Sequence, residues 1–124
     1  MRLYVINDVQ ENEIARVRKA LTERGMAASM EGLFWVEVPH DLLTAEQKEH
    51  LNECGPFCMG LEIIDAYAQD SRVPGSHGPM LALELLVRAR STLRCSCIAY
   101  ATSDQRIQAI EFLDSLLREL DIQA

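Results

Sequence analysis

The stretch from Leu81 to Ala101 constrains the fold more than any other. Leu81, Leu83, Leu85, Val87 and Ala89 recur at every second position, and so do Leu93, Cys95, Cys97, Ala99 and Ala101. A period of two over this length predicts two half-buried antiparallel strands, joined by a tight turn at Arg90-Ser91-Thr92-Leu93. The opposite faces carry Glu84, Leu86, Arg88, Arg90, Arg94, Ser96, Ile98 and Tyr100. Parity selects the loop. A two-residue loop would pair Arg88 with Cys95 and put arginines on the cysteine face. A three-residue loop pairs Arg90 with Arg94 and brings both apolar rows together, so burial favours an odd loop or a bulge. Its cost is a like-charge cross-strand pair.

The flanking segments supply the rest of an α+β domain. Arg2 to Asp8 reads as a short strand with the apolar run of a central one. Glu11 to Arg24 has helical spacing, with Ile14, Val17 and Leu21 on one stripe and Gly25 as its stop. A second hairpin is predicted from Met26–Met30 and Leu33–Val38 around Glu31-Gly32. Thr44 and Gln47 form a capping box that opens a helix to Glu53 or Cys54, closed by Gly55-Pro56. Phe57 to Tyr67 alternates as a strand, although LEIIDAYA also admits a helix. Gln69 to Pro79 is the long polar loop. A final helix, N-capped at Ser103, shows the stripe Ile107, Ile110, Leu113, Leu117 and Leu120, widened by Phe112 and Leu116.

In order these elements read βαββαβ followed by ββα. The first six resemble a ferredoxin-like split arrangement, extended by the last hairpin and helix. The expected architecture is a two-layer sandwich, an antiparallel-rich sheet with helices on one face. The 124 residues suit a single domain. That fold hosts many activities, and no motif in the chain identifies a reaction.

Charge narrows the partners. A net charge of -7 argues against a nucleic-acid backbone. No run approaches a membrane span, and MRLYVINDV has too short an apolar run for a signal peptide. Four cysteines beside a good core then suggest reduced thiols and a cytoplasmic setting.

Two constellations could carry function. The helix-free sheet face should collect Trp35, Glu37, Glu62, Glu84, Arg88, Arg90, Arg94 and Tyr100, interspersed with Ile64, Leu86 and Ile98. An apolar patch rimmed by charge marks an interface, and Trp, Tyr and Arg concentrate binding energy. The leading expectation is therefore a binding domain that forms a homodimer through this face and holds a small anionic ligand on its arginines. The bland reading is a solvated face of Glu-Arg pairs. The second constellation is His50, Cys54, Cys58, Cys95 and Cys97. His50 and Cys54 are i and i+4 on a helix, and Cys95 and Cys97 are i and i+2 on a strand. If the second helix packs on the hairpin, they converge on a metal, with zinc the alternative to no cofactor. Their spacing is not a standard zinc framework, and cysteines in an apolar row pack equally well as small hydrophobes. An enzyme using Glu37, Glu62 and Glu84 is the third reading, and no catalytic set can be specified from it. His40, beside Asp41, and His77, in the polar loop, are expected at the surface.

Overall fold

The computed structural model describes residues 2–65 and 78–123. Among these, the strand β3 (Phe57–Ile64) is the one around which the sheet is laid. Its residues Phe57, Met59, Leu61 and Ile63 face the core, and Cys58, Gly60, Glu62 and Ile64 face the other side. On one flank β3 pairs antiparallel with β2 (Leu33–Glu37), from Leu33↔Glu62 to Glu37↔Cys58. On the other it pairs with β4 (Met80–Glu84) through Leu61↔Leu83, and with β5 (Leu86–Ala89) through Phe57↔Ala89.

Between those last two pairs β3 advances four residues and its partner six. The excess is a bulge centred on Leu85. An even excess preserves the side-chain parity, so Leu81, Leu83, Leu85, Val87 and Ala89 all remain on the core face. At Leu85 the outer neighbour also changes. Its N–H donates to the Arg2 carbonyl on the β1 side, and its carbonyl accepts from Ala101 N–H on the β6 side. Thus β1 (Leu3–Ile6) lies against β4, and β6 (Ala99–Tyr100) against β5.

Every named pair is antiparallel. The architecture is an α+β open sheet of six strands with four helices. The ferredoxin-like order is not confirmed. A βαβ unit sets its two strands parallel, whereas here β1 lies antiparallel on β4, at the rim of the sheet rather than its centre. Met26–Met30 is not a strand. Only an isolated bridge joins Ala27 to Phe34, with Trp35 N–H donating to the Met26 carbonyl at 2.8 Å.

Helices α1 (Glu11–Glu23) and α4 (Ser103–Glu119) cover the core face. The stripe Ile14, Val17 and Leu21 of α1 is buried as its spacing predicts. At its end Gly25 takes φ 73°. The Met26 and Gly25 N–H groups reach back to the Leu21 and Thr22 carbonyls at 3.1 and 3.0 Å, a cap that a positive φ requires. The N-cap of α4 is Thr102, one residue before the expected Ser103, and it forms a capping box with Gln105. Its buried stripe is Gln105, Ala109, Leu113, Leu116 and Leu117, and Ile107 is 54% exposed. The helix is therefore turned relative to the face that hydrophobicity alone selects, because the polar Gln105 is drawn inward. The described helices include none long and apolar enough to cross a membrane.

The largest departure is the second half of the long hairpin. Only Ala99–Tyr100 pairs with β5, through Leu86↔Tyr100 and Val87↔Ala99. The pairing Arg90 to Arg94 does not form, but the parity is the expected one, with Val87 beside Ala99. Residues 91–98 leave the sheet and pack on the segment 45–54. That segment is two short helices, α2 (Ala45–Glu49) and α3 (Leu51–Cys54), broken at His50.

Candidate metal centre

The break at His50 and the excursion of residues 91–98 create the cluster together. His50 closes α2 and opens α3, and Cys54 is the last residue of α3. Their i, i+4 spacing aims both side chains at the 91–98 loop. That loop is fastened from the side. Ser91 N–H donates to the Cys54 carbonyl at 3.0 Å, and Ile98 N–H closes a turn on the Cys95 carbonyl at 3.1 Å. The buried Gln47 amide donates to the Cys97 carbonyl at 3.3 Å, and the Ser96 hydroxyl donates to the Glu46 carboxylate.

Ligand-type atoms of His50, Cys54, Cys95 and Cys97 all lie within 4.8 Å of one another. His50 Nδ1 is 3.1 Å from Cys95 Sγ and 4.0 Å from Cys54 Sγ. A tetrahedral zinc, with Zn–S of about 2.3 Å and Zn–N of about 2.0 Å, sets its ligand atoms roughly 3.5–3.8 Å apart. Closing onto a metal therefore asks for side-chain adjustments of under about 1 Å on that geometry. The expectation of a chain with no cofactor is corrected here, since three thiols and an imidazole have been gathered at metal-binding distances. Cys58 does not join them. It sits on the opposite face of β3, across from Glu37 and Arg88.

All four cysteines are free thiols. Within the cluster, charge is concentrated on one sulfur. The Cys97 backbone N–H, then the Cys97 thiol, with His50 and Cys54 contributing, hold the Cys95 thiol down at about 6. Burial first, and then the neighbouring thiols, push Cys97 up to about 12. Burial likewise raises Cys54. The hydrogen bond to Cys95 raises His50, with Glu46 and Glu49 adding to it. The arrangement is a thiolate surrounded by donors, and a cation at its centre would replace those donors with a single charge.

Behind the cluster stand two residues that hydrophobic patterning does not reveal. Gln47 and Gln105 are both buried. Gln105 Nε2 donates to Gln47 Oε1 and to the Leu42 carbonyl, each at 2.9 Å. Both occupy the N3 position of a capping box, so each serves its own helix start while joining α2 to α4. The capping motif at Thr44 was the available signal for Gln47.

The residues predicted for the open face do not all stay together there. Trp35, Glu62, Glu84, Arg88 and Arg90 line a groove of about 500 Å³. Glu37, Arg94 and Tyr100 do not line it. Tyr100 packs its ring under the Arg2 guanidinium, 4.6 Å from the ring centre. Arg94 is an exposed residue of the 91–98 loop. Of the three glutamates, Glu84 is engaged bidentately by Arg88 at 2.7 and 3.3 Å. His40 lies exposed in a short 3₁₀ turn, and His77 lies outside the described residues. Comparisons with protein-family models, with curated proteins and with solved structures give no match.

Proposed function

We propose that this protein is a metal-binding domain in which His50, Cys54, Cys95 and Cys97 hold one zinc ion. The observation that carries this reading is the approach of all four ligand-type atoms to within 4.8 Å from two separate parts of the chain. Thiolate and imidazole donors in this ratio suit zinc, and four protein ligands make a closed, structural site. Its effect would be mechanical. The metal would fasten the 91–98 loop to α2 and α3, where the sheet no longer holds it. The Gln47 amide on the Cys97 carbonyl supports the ligand loop from behind, as outer partners of metal ligands commonly do.

Native mass spectrometry of untagged protein, purified without chelator, tests this directly. The expected mass is that of the chain plus one zinc. Cobalt substitution should give the visible bands of a tetrahedral thiolate-rich site. Cys95→Ser with Cys97→Ser should abolish stoichiometric binding, whereas Cys58→Ser should retain it. A chain that emerges metal-free after zinc supplementation, or that carries a disulfide among Cys54, Cys95 and Cys97, would rule the metal reading out.

A further inference from the structure

The groove on the open face is a second site, separate from the sulfur cluster and on the other side of the sheet. Its floor is made where β2 and β3 pair. Trp35 pairs with Gly60, and a Cβ at Gly60 would stand 3.4 Å from the Leu33 side chain and 3.8 Å from the Trp35 ring. Both are ordinary contact distances, so the Leu33 side chain and the indole lie close over the Gly60 backbone. Leu33, Trp35, Ala82 and Ile98 give the groove an apolar lining, and its volume of about 500 Å³ falls in the range of small-molecule sites. At its rim Leu93 is 95% exposed and Met30 68% exposed.

Its charges are unequally matched. Arg88 is neutralised by Glu84. The Arg90 guanidinium stands over Trp35, 5.5 Å from the ring centre, and forms no ion pair among the described residues. Its backbone is fixed, since Arg90 N–H donates to the Pro56 carbonyl at 3.0 Å. A guanidinium fork above an aromatic floor matches one carboxylate attached to an apolar body. A doubly charged phosphate fits less well, because Arg88 is already held by Glu84 and, of the two lining arginines, only Arg90 is left to meet it.

The geometry points to a binding site for a small carboxylate with an apolar body, its carboxylate on Arg90 and its body on Leu33, Trp35 and Ile98. This does not rest on the metal reading, and its test is independent of metal content. Trp35 is the only tryptophan in the chain, so its fluorescence reports the groove alone. Decanoate, titrated below its micellar range into the full chain, should give a saturable change in Trp35 emission and a matching calorimetric isotherm. Decan-1-ol should bind at least tenfold more weakly, and decylammonium should not bind. Arg90→Gln should weaken decanoate at least tenfold and leave decan-1-ol unchanged, with Arg90→Lys between. An unchanged melting curve for the variants separates this from misfolding. The proposal is overturned if decanoate gives no saturable signal, if decylammonium binds equally, or if Arg90→Gln binds as the parent does. A dimer that shields Trp35 from iodide, and that decanoate does not open, would also overturn it in favour of a second copy as the occupant.

Discussion

Cys58 shows how little a residue's type says without its face. It shares its chemistry with Cys54, Cys95 and Cys97 and lies four residues from Cys54, yet the sheet stands between them. Burial pushes its thiol up to about 11 from an ordinary value of 9.0, eased by Arg90 and reinforced by Glu37. The raised value means the folded chain holds this proton where the unfolded chain has lost it. The associated stability is full below pH 9 and is lost as the pH rises towards 11. Two pH units of separation correspond to about 2–3 kcal/mol. Urea unfolding of the parent should therefore lose about that much more stability than Cys58→Ala between neutral pH and the alkaline limit. Parallel pH profiles for the two proteins would show that Cys58 does not titrate late.

Among the elements, α4 displays the contest between hydrophobicity and polar satisfaction most clearly. Ile107 belongs to the apolar stripe by spacing and is exposed, while Gln105 is polar and buried. Leu113→Ala should cost about 2–5 kcal/mol, whereas Ile107→Ala should stay within about 0.5 kcal/mol. Thermal or urea unfolding of the pair measures it, and equal losses would place Ile107 in the core after all. The start of α2 makes a related case. Gln47 Oε1 accepts from Thr44 N–H and from Gln105 Nε2, and its amide reaches the Cys97 carbonyl. Gln47→Leu strands those partners, at a cost of about 1–3 kcal/mol. It should also weaken zinc roughly tenfold or more by loosening the ligand loop, read by competition against a chromophoric chelator. Lost stability with unaltered zinc affinity would assign Gln47 to the helices alone.

For the molecule as a whole, the sheet and the sulfur cluster divide the work of holding residues 91–98. Backbone pairing ends at Ala99, and side chains of α2 and α3 take over. Thr92, Leu93 and Ile98 also form one wall of the groove. If zinc fills the candidate centre, removing it should therefore act locally first. Hydrogen exchange with and without chelator should show faster exchange at 91–98 and 50–55, with β3 and β4 unchanged. Uniform acceleration across β3 would mean that the metal supports the global fold, and no change anywhere would mean that it fastens nothing.

The chain's own pattern determined which residues face inward. The alternation of Leu81 to Ala89, the stripe of α1, the Gly25 cap and the box at Thr44 all depend on periods and positive φ angles that neighbouring residues impose on one another. The approach of His50 to Cys54 in the candidate metal centre was legible for the same reason, since i and i+4 on a helical segment bring the two together whatever surrounds them. Strand order was not, because β1 can pair with any exposed edge, and the edge it takes is that of β4. Nor was the fate of Leu93 to Ile98. Locally its alternation satisfies a strand, but its hydrogen bonds go to Gln47 and to a turn at Cys95, and those partners lie some 50 residues away or in a conformation that alternation does not specify. Tertiary contacts thus turned a predicted strand into the loop that completes the cluster, by providing its backbone with partners that the sheet would otherwise have supplied.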